Sequence, residues 1–149
     1  IKNFCKKIKK AKNSTLSENF FVISRIESLI LGKSSHDALK RAIAYSKAGS
    51  DCIMIHSKEK NPDEIFKFSK KFMKTKYARP LVAVPSTYSK TFESELIKNH
   101  FSVVIYANHL LRSSYNSMLR TAEMILKHKR SYNIEKNISP LKQVLELIK

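Results

Sequence analysis

The stretch Phe20-Phe-Val-Ile-Ser-Arg-Ile-Glu-Ser-Leu-Ile-Leu-Gly32 decides how the chain is read. From Phe20 to Ile26 it is an apolar, β-branched and aromatic run, the composition of a buried strand. Arg25 and Glu27 sit two apart near its C-terminal end, so on a strand they share a face with Phe21 and Ile23. Charges at the end of an apolar face are costly unless they pair or serve a ligand. Two readings fit. One is an ion pair that finishes the strand. The other is a binding site at the C-terminal mouth of a parallel sheet, where α/β proteins hold their ligands. Taken alone, the stretch favours the ion pair.

The flanking sequence repeats the same plan. Ile1 to Asn13 reads as a helix, with Ile1, Phe4, Cys5 and Ile8 on one face, and Asn13 to Asn19 as a polar loop. After the first strand, Ser35 is placed to cap a helix whose apolar face is Ala38, Leu39, Ala42, Ile43 and Tyr45. Gly49 suits the left-handed residue that ends it. Cys52 to His56 is a second strand, ending in His56 and Ser57. Asn61-Pro62-Asp63-Glu64 opens a helix with the stripe Ile65, Phe68, Phe72 and Met73. Leu81 to Pro85 is a third strand, followed by Ser86, Thr87 and Tyr88. Thr91 is placed to cap a short helix through Asn99. Phe101 to Tyr106 is a fourth strand, ending in Ala107-Asn108-His109. A long helix over Leu110 to Lys129 and a last one after Ser139-Pro140 complete the chain.

Short apolar strands separated by helices predict a parallel sheet of the α/β class. Every strand delivers polar side chains at its C-terminal end. There are only two glycines, and no glycine-rich phosphate loop. That argues against a dinucleotide-binding fold. Four strand–helix units are half of a (β/α)8 TIM-type barrel, which takes about 250 residues when complete. Residues 1–149 therefore read as the C-terminal half of one barrel domain, with the N-terminal half outside this chain. A first residue Ile1 rather than Met agrees with a piece of a longer protein or a processed one.

The formal net charge of +17, from 29 Lys+Arg against 12 Asp+Glu, raises nucleic acid as a partner. Only Lys6 to Lys12 forms a cluster, however, and lysines outnumber arginines. Lysines spread over solvated faces explain the charge without a partner, and a basic module does not explain four polar strand ends. A nucleic-acid-binding role ranks last. Cys5 and Cys52 form neither a disulfide framework nor a metal-ligand spacing. A buried thiol at Cys52 suits a reducing compartment, so a cytoplasmic location is expected. No apolar run reaches membrane-spanning length, and no hydrophobic signal core follows the basic start.

Six stretches, in order and in register, carry a resemblance: Arg25-Ile-Glu-Ser-Leu-Ile-Leu-Gly32, Asp37-Ala-Leu-Lys-Arg-Ala-Ile-Ala-Tyr45, Ala48-Gly-Ser-Asp51, Met54-Ile-His-Ser-Lys58, Val84-Pro-Ser-Thr-Tyr-Ser-Lys-Thr91 and Tyr106-Ala-Asn-His-Leu-Leu-Arg112. From about Phe20 to the C-terminus the chain resembles the phosphoenolpyruvate mutase and phosphonopyruvate hydrolase family of the isocitrate lyase superfamily. The resemblance implies a Mg²⁺-dependent barrel that interconverts phosphoenolpyruvate and phosphonopyruvate, the step that forms the carbon–phosphorus bond of phosphonates. It implies a catalytic, substrate-binding pair in Arg25 and His56. It also implies a homo-oligomer in which the helix over Leu110 to Lys129 is exchanged with a neighbouring subunit.

Chemistry agrees with those roles. Arginine's planar fork grips phosphate and carboxylate oxygens and stays charged. Histidine can donate to such an oxygen whether neutral or cationic. Glu27 reads as the partner that orients Arg25, and Ser57 as a substrate contact or a hydrogen-bonded strand-end serine. Ser86, Asn108 and His109 are further candidates for the mouth. His36, His100 and His128 read as surface residues, and Tyr88 and Lys90 as loop-closing ones. No aspartate stands at a strand end, so the Mg²⁺ ligands are expected in the N-terminal half, and this chain alone is expected to be inactive. Phosphonopyruvate hydrolase remains the alternative. The carbon–carbon lyases of the superfamily are disfavoured, because Arg25-Ile-Glu27 and His56-Ser57 depart from their usual Arg-Thr-Asp and Pro-Glu.

Overall fold

The computed structural model describes residues 1–17 and 19–148. Glu18, in the polar loop expected over Asn13 to Asn19, and Lys149, in the residue span 1–149 assigned to the barrel half, lie outside the described residues. The chain divides into two compact units, Ile1–Ala107 and Asn108–Lys149. The first unit runs α1 (Lys2–Asn13), β1 (Ile23–Ile26), α2 (Ser35–Lys47), β2 (Cys52–Ile55), α3 (Asp63–Met73), β3 (Leu81–Ala83), α4 (Glu93–Lys98) and β4 (Phe101–Val104). The second holds α5 (His109–His128), a 3₁₀ turn at Glu135–Asn137 and α6 (Leu141–Glu146).

All three strand pairings are parallel, and the sheet order is β1-β2-β3-β4. Each strand lies beside the next in sequence. A doubly wound sheet reverses its order at a switch point, whereas a barrel wall never does. The expected α/β class and parallel sheet are thus observed, with the winding of a barrel wall.

One face of this sheet is fully packed. Ile26, Ile53, Ile55, Leu81, Ala83 and Phe101 join Ala38, Ala42, Ile65, Phe68, Phe72 and Leu96 from the helices in a single buried cluster. Phe68 and Phe72 stack with ring centroids 5.7 Å apart. Ala38 and Ala42 are both completely buried, and side chains this small let α2 lie close on the sheet. The other face carries Ile23, Arg25, Met54, Val82 and Val103, following the register Arg25↔Met54, Met54↔Val82 and Val82↔Val103. It is bare at both margins: Ile23 is 40% and Val103 41% exposed. The strands are apolar on both sides, as the sequence suggests, but only β3 is fully buried on both; Met54 of β2 is half-buried on the inner face.

The N-terminal end of the sheet is tied down by Asp51. Its carboxylate accepts from Lys12 Nζ at 2.9 and 3.0 Å and from the Val22 N–H at 2.7 Å. Partial burial pushes this carboxyl up. The Val22 N–H and the Lys12 ammonium outweigh that effect and hold it below the usual carboxylate range. Gly49 adopts φ +105°, as expected from its place after α2, and Lys12 Cγ lies 3.4 Å from where a Cβ would stand.

Several boundaries differ from the sequence reading. The strand expected over Phe20 to Ile26 begins at Ile23, because Ile23 pairs with Cys52, the first residue of β2. Phe20 and Phe21 have no ladder partner and are 60% and 63% exposed. The third strand stops at Ala83: Val84 accepts the Ser86 N–H at 2.8 Å, a tight turn that ends the pairing. Ser34, not Ser35, caps α2, with its hydroxyl accepting the Asp37 N–H at 3.2 Å. At α3, Asn61 accepts the Asp63 N–H across Pro62, which occupies the cap position itself. At α4 the cap position is Phe92 rather than Thr91, and the Glu95 carboxylate accepts the Phe92 N–H at 2.9 Å.

In the second unit, no residue of α5 is buried. Ile134 is, at 3% exposure, and it lines a cavity with Ser117, Arg120, Thr121 and Met124 of α5. Lys129 ends α5 in the left-handed region, φ +53°, with its N–H on the Ile125 carbonyl. No helix among the described residues is long and apolar enough to cross a membrane.

Candidate active site

The register of β1 on β2 fixes the geometry at the C-terminal ends. Arg25 pairs with Met54, so the two project from the same face. His56 lies two residues beyond Met54 on that face. Glu27, two beyond Arg25, is level with His56 when the rungs are continued. The expected residues Arg25, Glu27 and His56 therefore share one face and one rim.

Glu27 accepts a hydrogen bond from the Nε of Arg25 in an ion pair whose side chains are 51% and 41% exposed. An ion pair this exposed contributes about 0–1 kcal/mol. Its consequence is orientation. Holding Nε leaves the outer edge of the guanidinium without a protein partner among the described residues, and that edge is the one suited to a planar oxyanion. His56 feels both charges. Burial pushes its imidazole below the usual histidine range, Arg25 pushes the same way, and Glu27 opposes them. At neutral pH the ring is uncharged and offers one N–H.

Ser57 takes a different course. Its side chain is completely buried, and its hydroxyl donates to Glu64 Oε2 at 2.5 Å while accepting the Glu59 N–H at 3.0 Å. The structure does not bring Ser57 to the face of Arg25 and His56. It ties the loop after β2 to the first turn of α3. The loop after β3 clasps the same segment, with Thr87 Oγ1 donating to the Ser57 carbonyl at 2.7 Å. Tyr88 follows, completely buried, with its ring centroid 6.3 Å from that of His56. Sequence reasoning passed over Tyr88 as a loop residue. An aromatic placed straight after Pro85-Ser-Thr87 was the available signal.

Ser86 is exposed at the end of β3, while Asn108 and His109 open α5 in the second unit. His36 and His100 are exposed, as expected, and His128 is half-buried. Arg25 and Glu27 also border a groove of about 210 Å³ with Ser28, Lys33 and Arg41 at the β1 edge. His56 is not on it, and pockets for small ligands usually hold about 300–1,000 Å³. The shared face is the better site.

The fold and these side chains define a class: a β/α barrel wall with a guanidinium and an imidazole on one face at the C-terminal ends of its strands. The profile of the family described as "Phosphoenolpyruvate phosphomutase" matches residues 1–126. The chain belongs to that family. It is 35% identical over 147 residues to a phosphoenolpyruvate phosphomutase of Tetrahymena pyriformis, covering 99% of this chain and 48% of that protein. The crystal structure of a phosphoenolpyruvate phosphomutase from Streptomyces platensis subsp. rosaceus superimposes with a TM-score of 0.91 at 38% identity, covering 97% of this chain and 49% of the other. A phosphonopyruvate hydrolase solved in complex with oxalate and Mg²⁺ gives 0.89 at 32% identity, covering 97% and 50%. The chain spans about half the length of the curated relatives it matches.

The carboxylates present do not fit a Mg²⁺ site, which wants several oxygen ligands in one place. Glu27 is held by Arg25, Glu64 by Ser57, Asp37 by Ser28 and Arg41, and Asp51 by Lys12 at the other end of the sheet. Among the described residues no three His, Cys, Asp or Glu side chains gather into a metal-binding group.

Proposed function

We propose that residues 1–149 are the C-terminal half of a (β/α)8 barrel that interconverts phosphonopyruvate and phosphoenolpyruvate. The observation that carries this reading is the placement of Arg25 and His56 on one face at one rim. In the reaction the carbon–phosphorus bond breaks and the phosphoryl group joins the oxygen of the resulting enolate; the reverse forms the carbon–phosphorus bond. Such a phosphoryl group passes through a loose, charge-rich state, so the protein's part is positioning and electrostatic stabilisation. Arg25, steadied by Glu27, grips the phosphoryl oxygens with the outer edge of its fork. His56, neutral at pH 7, donates its N–H to an oxygen of the same group. Mg²⁺ is held by carboxylates outside this chain. The 149-residue chain alone is therefore inactive, and measurable turnover by it would contradict the half-barrel assignment.

A second reading keeps the site and changes the outcome. Phosphonopyruvate hydrolase is supported by a near-equal structural match, with a TM-score of 0.89 against 0.91. Tyr88-Ser-Lys90-Thr91 and Ala107-Asn108-His109 lean towards the mutase. Phosphorus NMR of the intact enzyme with phosphonopyruvate separates the two. A phosphoenolpyruvate resonance supports the mutase, and inorganic phosphate with pyruvate supports the hydrolase.

We also propose that α5 packs on a neighbouring subunit. Leu111, Tyr115, Met118 and Ile125 form a stripe at helical spacing, 71%, 61%, 62% and 40% exposed. A second copy of the protein would cover it.

A further inference from the structure

His56 carries an unmet hydrogen-bonding requirement. Its Nδ1 is buried and has no partner. In a neutral imidazole one nitrogen donates and the other accepts, and the partner of the inner nitrogen sets which is which. Whatever meets Nδ1 therefore decides whether Nε2 can donate to a substrate oxygen. Tyr88 carries the complementary requirement. Its side chain is completely buried, and its hydroxyl has no partner either. The two rings lie 6.3 Å apart, tilted by 51°. The bond from Thr87 Oγ1 to the Ser57 carbonyl, at 2.7 Å, locks the residue before Tyr88 to the residue after His56. Buried polar atoms are nearly always satisfied, by protein or by ordered water. Two unsatisfied atoms on adjacent, mutually anchored rings point to one shared link.

We infer that Tyr88 is a positioning residue for His56: its hydroxyl, across one buried water, donates to Nδ1 and so keeps the ring proton on Nε2. The inference rests on the proposed contact of His56 with the phosphoryl group. The phenol is suited to the task. Burial pushes its pKa up to about 12 against a weaker pull from the Val84 backbone N–H, which can only donate to the phenol oxygen and leaves the hydroxyl proton free, so the phenol keeps its proton throughout the neutral range. Arg25 and Glu27 are the charged groups whose fields the ring feels, and Tyr88 is the buried phenol beside it.

The test is ¹⁵N NMR of the histidine ring nitrogens in the intact enzyme. The wild type should show His56 with its proton on Nε2. Tyr88→Phe keeps the ring and removes only the hydroxyl. It should shift His56 towards a mixture of tautomers and lower kcat about tenfold, more than it alters KM, the low end of the scale seen for outer-shell partners of metal-bound histidines. An unchanged tautomer in Tyr88→Phe overturns the inference. So does a wild-type His56 protonated on Nδ1, a measurement that needs no variant. Near-normal turnover by His56→Ala would instead remove the substrate role of His56. The ring spectrum would still decide whether Tyr88 sets its tautomer.

Discussion

Arg25 does little for stability, so its loss should register in turnover and not in folding. Its pair with Glu27 is half exposed, and such pairs are worth little. Arg25→Lys keeps the charge and loses the fork. A charge-assisted contact of about 1.5–3 kcal/mol translates into a fall in kcat/KM of roughly ten- to a hundredfold, with Tm nearly unchanged. Steady-state kinetics on phosphonopyruvate and a thermal melt check both halves of that statement. Asp51 is the opposite case. Its carboxyl, like that of Asp37, is held below the usual range in the folded chain. In the unfolded chain it binds its proton at higher pH. The stability it contributes is therefore present above about pH 4, the ordinary carboxylate value, and is lost as pH falls through the lower folded value. Asp51→Ala should cost about 1–2 kcal/mol at neutral pH and flatten the acid limb of the stability curve, as followed by circular dichroism. The placement of Arg25 and His56 on one face at the strand ends was legible because a strand's last polar residues announce themselves in sequence. The commitment of Ser57 was not, because its partner Glu64 lies on the next helix.

At the scale of elements, the order of strands and helices could be read from periodicity, and the ends could not. A strand ends where its neighbour's partners run out, a property of two segments rather than one. Phe20 and Phe21 are as strand-prone as Ile23, yet β2 offers them nothing. Caps shifted by a residue for a similar reason: Ser34 and Ser35 are chemically equivalent, and only the backbone decides which hydroxyl meets the Asp37 N–H. The apolar stripe of α3 was correctly read at Ile65, Phe68 and Phe72, while Met73 lies at its margin with 36% exposure. Phe68 is completely buried and stacked on Phe72. Phe68→Ala should destabilise by about 3–5 kcal/mol, read from a urea titration, whereas Met73→Ala should cost far less.

For the whole molecule, the decisive features are the surfaces left uncovered. If α5 is shared between subunits, Met118→Lys places a charge in the middle of its stripe and should shift the intact protein towards smaller species in sedimentation analysis. An unchanged mass would remove α5 from the interface. The margins of the inner row, Ile23 and Val103, follow the same logic. The sequence pointed to strands buried on both sides, and β1 and β4 are covered on one.

The sheet begins and ends on strands that each have a single neighbour. Parallel ladders seek partners, and bare margins are sticky in any solvent. Expressed by itself, such a wall should be a poor citizen, prone to self-association. Supplied with a separately produced polypeptide bearing the complementary wall, it should behave as split enzymes do, with the two pieces zipping together along two seams at once and activity returning in proportion to the amount of the limiting piece.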